Sequence, residues 1–481
     1  IKLLIEKNML EEAKELLKQY ESIVEADIDI YSIKGIIYMM EGDMDKAEKV
    51  LTAGLNIEPE NFDLLYNMAY LHQYNGQIDL ATEFYKKALQ YSGNEKESDE
   101  VFEILRELGV EGSKDDILKD TIPKTSIIIL THNNLHYNKL CIESIRKYTE
   151  KGTYEIIVVD NHSTDGTVEW LKTQKDIRII LNDENLGFPK GCNQGIEAAY
   201  RDNDILLLNN DTIVTPNWLA NLKKCLYSNN RIGAVGPVTN NCSYYQSIPT
   251  EYTDLDEMIK FAGRFNVSDS TKWEQRIKLV GYCILIKRSV IEQVGLLDER
   301  FTPGNFEDDD YSFRIQEAGY KLILCKDTFI HHFGSATFSS MKLDYLQLVR
   351  ENEQKFKEKW GFNPFYSTFI RNEIIDLLND DYDKRINVLE VGCACGATLL
   401  KIKDLYKNAD LYGIEFEKMS SRIASNFASI TSEDVEGVEL SYPENFFDYI
   451  IFCDVLEHLY NPNAVLKKIR KYLKEDGKIL I

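Results

Sequence analysis

From residue 125 onward, short apolar runs alternate with amphipathic stretches, and each run ends near a polar tip. Ser126–Leu130 leads to Thr131-His132-Asn133-Asn134. Glu155–Val159 leads to Asp160-Asn161-His162-Ser163, Ile177–Leu181 to Asn185-Leu186-Gly187, and Asp204–Leu208 to Asn209-Asn210-Asp211. The stretches between them, 138–148, 167–174 and 189–200, have helical spacing. Strands and helices alternating at this length predict a mostly parallel sheet covered by helices on both faces. Ligands of such sheets bind beyond the carboxyl ends of the strands, where all four tips converge.

The N-terminal part follows a different period. Asn8, Gly42 and Gly76 are 34 positions apart, as are Ala13, Ala47 and Ala81, and Leu17, Leu51 and Tyr85. Helix pairs are predicted at Asp29–Glu41 with Met44–Asn56, and at Phe62–Asn75 with Ile78–Tyr91. This pattern resembles the tetratricopeptide repeat, although the family's Trp is absent. Such units bury their apolar faces only by stacking. The resemblance implies either a structural appendage able to self-associate or a groove for a peptide or protein.

Composition narrows the class of partner. The chain has 481 residues, a formal net charge of −23 and 44% hydrophobic residues. This length predicts several domains. The acidity argues against nucleic acid, whose binding relies on clustered Lys and Arg. No apolar run is long enough for a transmembrane helix. Nine scattered cysteines lack metal-ligand spacing, and a reducing cytoplasm is the simplest context. The chain opens inside a helical pattern at Ile1 and closes inside a strand pattern at Lys478–Ile481, as if cut at both ends.

A second acidic segment, Asn305-Phe306-Glu307-Asp308-Asp309-Asp310, precedes a helix expected at Tyr311–Ala318. Four neighbouring carboxyl groups repel one another, which raises the pKa of one and suits it to take a proton. Carboxylates at a helix start also gain from its dipole. Lys278–Lys287 and Arg288–Val294 read as a strand and helix with a structural role.

The order of the tips resembles the inverting glycosyltransferases of family 2, with the GT-A fold, from about Thr125 to Gly361. The resemblance implies a nucleotide-sugar site at Thr131, Asn133, Asp160, Asn161, Asn185, Gly187, Lys190, Asn193 and Asn210. It implies Mg²⁺ or Mn²⁺ at Asp211 and His331. Asn209 stands where the family has the first Asp of its DxD motif, leaving Asp211 as the one charged ligand of the triplet. Asn209–Asp211 could instead cap the helix near Pro216. The implied base is Asp308, with Glu307 and Asp309 as alternatives.

Farther on, a strand at Asn387–Val391 leads to Gly392-Cys393-Ala394-Cys395-Gly396, and a second strand ends on Glu415. A tight glycine turn and an acid about twenty residues later suit a nucleoside ligand. This resembles motif I of class I S-adenosylmethionine-dependent methyltransferases, with Ala394 in place of the middle glycine. The resemblance implies cofactor contacts at Glu390, Gly392, Ala394, Gly396, Glu415 and Asp454, in a sheet two strands short of the family's.

The expected organisation is helical repeats at 1–95, a linker at 96–123, a GT-A domain at 124–362, a connector at 363–384 and a truncated Rossmann-like domain at 385–481. The expected activity is inverting glycosyl transfer from a nucleotide-sugar to a glycan or protein acceptor such as flagellin or a surface-layer protein, coupled to methylation of the glycan. The alternatives are a repeat scaffold with an inactive transferase, or a protein that is chiefly a methyltransferase.

Overall fold

The computed structural model describes residues 1–24, 27–114, 117, 122–334 and 342–481. The chain divides into two compact units. One is Ile1–Pro123 with Tyr227–Asn230, and the other is Lys124–Leu226 with Arg231–Ile481.

The first unit is helical. Helices Asp29–Met40 and Met44–Ile57 form one pair, and Phe62–Tyr74 and Ile78–Gln90 the next. The period is written in the backbone: Asn8, Gly42 and Gly76 all take positive φ, at 57°, 82° and 74°. Glycine adopts that conformation without steric cost, which is why it closes the turns. Ala47 and Ala81 are fully buried where helices pack. The segment expected as a linker at 96–123 instead begins within a helix, Glu95–Glu107, that buries Val101 and Leu105 against Leu65, Ala81 and Tyr85. Its apolar spacing was masked by a high charge density. Residues 115–116 and 118–121 of that segment lie outside the described residues.

The second unit holds two large sheets. The first comprises β1 (Thr125–Thr131), β2 (Tyr154–Asp160), β3 (Ile177–Leu181), β4 (Asp204–Asn209), β6 (Ile232–Val238), β7 (Trp273–Arg276), β8 (Cys283–Ile286) and β9 (Lys321–Phe329). Their order is β3-β2-β1-β4-β8-β6-β9-β7. The half from β3 to β4 is parallel, as expected. The other half is mixed, because β8 runs antiparallel to both β4 and β6, and β7 antiparallel to β9. A small antiparallel ribbon joins β5 (Thr212–Ile213) to β10 (His331–His332). The second sheet is entirely parallel: β13 (Ser429–Thr431), β12 (Asp410–Ile414), β11 (Asn387–Val391), β14 (Phe447–Phe452) and β15 (Leu473–Leu480), in that order.

The two sheets share a core. Phe301, Phe306 and Phe313 from the first part join Phe356, Trp360 and Phe362 between the sheets, and Ile386, Val388 and Ile451 of the second part. Aromatic side chains bury large areas and fix geometry through edge contacts. Phe313 meets Phe362 edge-on, with ring centroids 5.5 Å apart.

Helix Phe188–Ala198 lies close against β1. A Cβ at Gly195 would sit 2.4 Å from Ile128 Cγ2, and one at Gly191 2.2 Å from Leu130 Cδ1. Overpacking a filled contact costs about 1–3 kcal/mol. Gly195→Val is therefore expected to lower the thermal unfolding midpoint of the first sheet, followed by circular dichroism. An unchanged midpoint would mean that this helix does not pack so closely.

Candidate active site

The polar tips of β1, β2 and β3 are tied to one another by hydrogen bonds. Asn133 and Asn134 take left-handed backbone angles (φ 61° and 66°) and turn the chain into the next helix. Asn133 Oδ1 accepts from Thr164 N–H at 2.7 Å, and Asn133 N–H donates to Ser163 Oγ at 2.6 Å. Asp160 is buried. Its Oδ1 accepts from Ser163 N–H at 2.9 Å, while its Oδ2 has no partner within the protein. An orphaned buried carboxylate oxygen is costly unless a ligand or water completes it.

Several residues expected to read a nucleotide are occupied otherwise. Asn161 Nδ2 donates to Asn185 Oδ1 and to Gly187 O, and its Oδ1 accepts from Asn182 Nδ2. It is a knot between loops. Asn193 Nδ2 donates to Leu297 O at 2.9 Å and its Oδ1 accepts from Leu297 N–H at 3.0 Å, so its amide is spent on the fold. Asn210 Nδ2 bridges Thr131 Oγ1 and Asn138 Oδ1. Asn185 and Lys190 remain exposed at the tip. Gly187, at φ 81°, presses against Pro303 and Thr302.

Asp211 and the histidines rearrange one expectation. His332 Nε2, not a nitrogen of His331, lies 3.2 Å from Asp211 Oδ1. The ribbon sets His332 opposite Thr212, next to Asp211, and strand alternation turns His331 the other way. His331 Nδ1 instead meets the Tyr252 hydroxyl at 2.7 Å. Burial lowers the pKa of both rings. In His332 the bond and charge of Asp211 and the carbonyl of Asn241 outweigh burial, and its pKa ends above the ordinary value. In His331 burial and the His332 charge prevail, and its pKa falls to about 4.

The acids at 307–310 form the first turn of a helix, Glu307–Glu317, rather than preceding one. The helix dipole favours them there. Each has a different environment. Asp309 pairs with buried Lys278 at 2.6 Å. Asp310, fully buried, is held by Arg314 at 2.9 Å, Lys359 at 2.5 Å and the Trp360 indole N–H at 2.8 Å. Glu307 is buried with Oε2 unpartnered, and burial with the Asp308 charge pushes its pKa well up. Among the described residues, Asp308 accepts only backbone N–H groups, from Gly281 to Oδ2 at 2.8 Å and from Asp309 to Oδ1 at 2.9 Å. Burial and the Asp309 charge raise its pKa to about 6, against the lowering pull of Lys278.

Residues 278–282 were read as structural floor, yet they join the two acidic sites. Only Cys283–Ile286 of the expected strand is a strand. The reason is that the Leu279, Val280 and Gly281 N–H groups donate to Ser312 Oγ, Gln246 Oε1 and Asp308 Oδ2 instead of to a ladder. Tyr282 stacks on His332, with ring centroids 5.2 Å apart and an angle of 18°. Gly281 thus holds Asp308, while its neighbour packs on the histidine of Asp211. Sequence reasoning assigned no site role to Lys278, Gly281 or Tyr282, and it placed the imidazole beside Asp211 at His331 rather than His332. The one available signal was the glycine just before an apolar run.

At the carboxyl end of the second sheet lies a cleft of about 690 Å³. Gly392, Ala394, Glu415 and Asp454 line it; Glu390 and Gly396 do not. Ala394 takes a left-handed backbone angle (φ 47°), a conformation that glycine adopts more readily. Its N–H donates to Glu415 Oε2 at 2.8 Å. Asp454 pairs with Arg371. Glu390 is buried beneath, with Oε2 unpartnered and its pKa raised by burial to about 8.

Residues 126–295 match the family model of glycosyl transferase family 2. Residues 362–481 match a methyltransferase domain, and 28–61 and 62–95 match tetratricopeptide repeats. The chain therefore carries a glycosyltransferase family 2 domain between tetratricopeptide repeats and a methyltransferase domain. It is 25% identical over 232 residues to the uncharacterized protein y4gI of Sinorhizobium fredii, spanning 45% of this chain and 25% of that protein. It is also 25% identical over 215 residues to glycosyltransferase AglE of Haloferax volcanii, spanning 44% of this chain and 67% of that one. The chain thus spans a quarter of the first relative and about two thirds of the second. Among solved structures, the mannosyltransferase PcManGT of Pyrobaculum calidifontis is 20% identical, with a TM-score of 0.37, covering 49% of this chain and 64% of that one.

Titration of the metal-free protein by nuclear magnetic resonance is expected to separate the two adjacent histidines. His331 should remain neutral down to about pH 4, and His332 should titrate above its ordinary value. Asp211→Asn should lower the His332 midpoint. The same midpoint in both proteins would mean that Asp211 does not hold that ring.

Proposed function

We propose that the chain transfers a sugar, with inversion, from a nucleotide-sugar to a hydroxyl of a glycan or protein, and that Asp308 is the base. The observation that carries this reading is the division of labour around Gly281-Tyr282. On one side stands a carboxylate–imidazole pair, Asp211 and His332. On the other stands a carboxylate without a cation partner among the described residues, poised near neutrality. Asp309 and Asp310 are each neutralised by cations, and burial holds Glu307 toward its neutral form, which leaves Asp308 to accept a proton.

Asp211 and His332 also suit a divalent metal. The carboxylate oxygen fits either Mn²⁺ or Mg²⁺, while the imidazole nitrogen favours Mn²⁺ over the harder Mg²⁺; with two protein donors the remaining positions would fall to diphosphate oxygens and water. When bound, the ion would stabilise the charge of the leaving diphosphate. The orphaned oxygen of Asp160 and the tips at Asn133 and Asn185 would receive the nucleotide. Asp308 would draw the proton from the acceptor hydroxyl as its oxygen attacks the anomeric carbon, and the configuration there would invert.

A second activity is supported by the cleft in the second sheet, whose size suits a cofactor-sized ligand. Glu415 keeps lone pairs for ribose hydroxyls beyond the two N–H bonds it accepts. We read this cleft as an S-adenosylmethionine site for methyl transfer. Calorimetry with S-adenosylhomocysteine should detect binding to the parent chain and about tenfold weaker binding to Glu415→Ala, a difference of about 1.4 kcal/mol. Equal affinities would place the nucleoside elsewhere.

Nucleotide release from UDP-, dTDP- and GDP-sugars with Mn²⁺ or Mg²⁺, with and without acceptor, tests the transferase. The carboxyl of Asp308 is ionised only above its raised pKa, so kcat/KM should fall as the pH drops through about 6. Asp308→Asn should lose about 10²–10⁴-fold, the usual contribution of a general base. A variant within a few-fold of the parent would remove Asp308 from that role.

A further inference from the structure

Helix Lys342–Trp360 lies outside both enzyme-family matches, which end at 295 and resume at 362. Its side chains nevertheless reach the acid-bearing segment at points from Tyr345 to Trp360. The Tyr345 hydroxyl donates to Asn305 Oδ1 at 3.0 Å. Asn352, fully buried, donates from Nδ2 to the carbonyls of Phe301 and Gly304, both at 2.8 Å. Lys355 Nζ donates to Arg300 O at 2.9 Å. Lys359 spans Asp298 at 2.7 Å and Asp310 at 2.5 Å, and the Trp360 indole donates to Asp310 at 2.8 Å.

The segment needs such support. Asn305 and Phe306 both take left-handed backbone angles, φ 74° and 73°. For a bulky residue such as Phe306 this conformation is strained, and it persists only where surrounding contacts dictate it. Phe306 is also the residue that caps the helix on which Asp308 sits. Among the described residues, Asp308 itself is fixed only through backbone N–H groups, so its position depends on the chain that carries it.

We infer that helix Lys342–Trp360 is a positioning strap, in which Asn352 and Trp360 hold residues 301–310 in the conformation that aims Asp308 at the acceptor hydroxyl. Neither residue is given a role in contact with substrate. The inference rests on the transferase reading above and adds to it a structural dependence. The contacts that orient the base come from the helix leading into the methyltransferase domain.

The test uses the full chain with Asn352→Leu and, separately, Trp360→Phe. Asn352→Leu replaces the amide by an apolar side chain of similar size, Trp360→Phe keeps an aromatic ring, and both remove the side-chain hydrogen bonds to residues 301–310. Amide hydrogen exchange over residues 301–311 is compared with kcat and donor KM. Exchange in that segment should speed up by about tenfold. Transfer kcat should fall by at least about tenfold with donor KM within about twofold, because small misplacements of a reacting group are expensive. Unchanged exchange overturns the strap. Faster exchange with unchanged kcat also overturns it, since the contacts would then be merely structural. If Trp360→Phe fails to fold, Asn352→Leu decides alone. A parent chain that transfers from no donor overturns the transferase reading, and the strap's catalytic role with it; the exchange data distinguish that case, because they do not depend on activity.

Discussion

The site depends on one break in a ladder. β8 pairs antiparallel with β4, with Cys283 opposite Leu208, so the chain entering β8 passes beside the chain leaving β4. Continued strand pairing before Cys283 would have consumed the amides of residues 279–281. Instead Ser312, Gln246 and Asp308 accept them. Buried amides must be paired, and here side chains from two other elements do the pairing. Asp308 is thereby fixed by the same dipeptide whose tyrosine stacks on the partner of Asp211. Glycine at 281 follows from this arrangement, because a Cβ there would lie 3.3 Å from that of Asp308.

A run of four acids is tolerable only because its charges are treated differently. Isolated ionised carboxylates are too costly to bury. Lys278 compensates Asp309, while Arg314 and Lys359 compensate Asp310. Glu307 is pushed toward its neutral form by burial and by Asp308. Asp308, held by backbone N–H groups and only partly offset by the charge of Lys278, ends between these extremes. The intermediate state of one group is thus a consequence of cation placement at its neighbours. Some of those cations are remote in sequence: Lys278 precedes the acids by some thirty positions, and Lys359 follows them by nearly fifty.

That remoteness explains what could be read from the sequence. The parallel half of the sheet, the repeats and the acidic helix announce themselves by local period and by glycine or polar tips, so their existence was legible. Asp211 and the acids at 307–310 were also visible as unusual local clusters. What was not visible depends on register between distant segments. Strand alternation says that His331 and His332 face opposite ways, but only the pairing of His332 with Thr212 decides which one meets Asp211. Asn161 and Asn193 were expected at the nucleotide through the family resemblance, which says nothing of their local partners. Their amides are taken by loops that only the fold brings near, with the Leu297 backbone at Asn193 being the clearest case. The helical start of the segment after residue 95 was obscured for another reason: its burial is confined to a narrow stripe, Ser98, Val101 and Leu105, in a strongly charged sequence.

Asn209-Asn210-Asp211 shows how the same reasoning applies to a departure from a family pattern. Asn210 donates from one amide nitrogen to both Thr131 and Asn138, which joins the tip of β4 to that of β1. An ionised carboxylate at this position has no proton to give, and it would set a second charge beside Asp211. Asn209 is bound through its backbone, its N–H to Tyr282 O and its carbonyl to the Thr212 hydroxyl, so its place in the fold does not call for a charged side chain. The triplet therefore keeps a single carboxylate, and the imidazole facing it comes from β10 rather than from the triplet. Loss of one acidic residue from a motif is weak evidence of lost function when the fold supplies another donor to the remaining carboxylate.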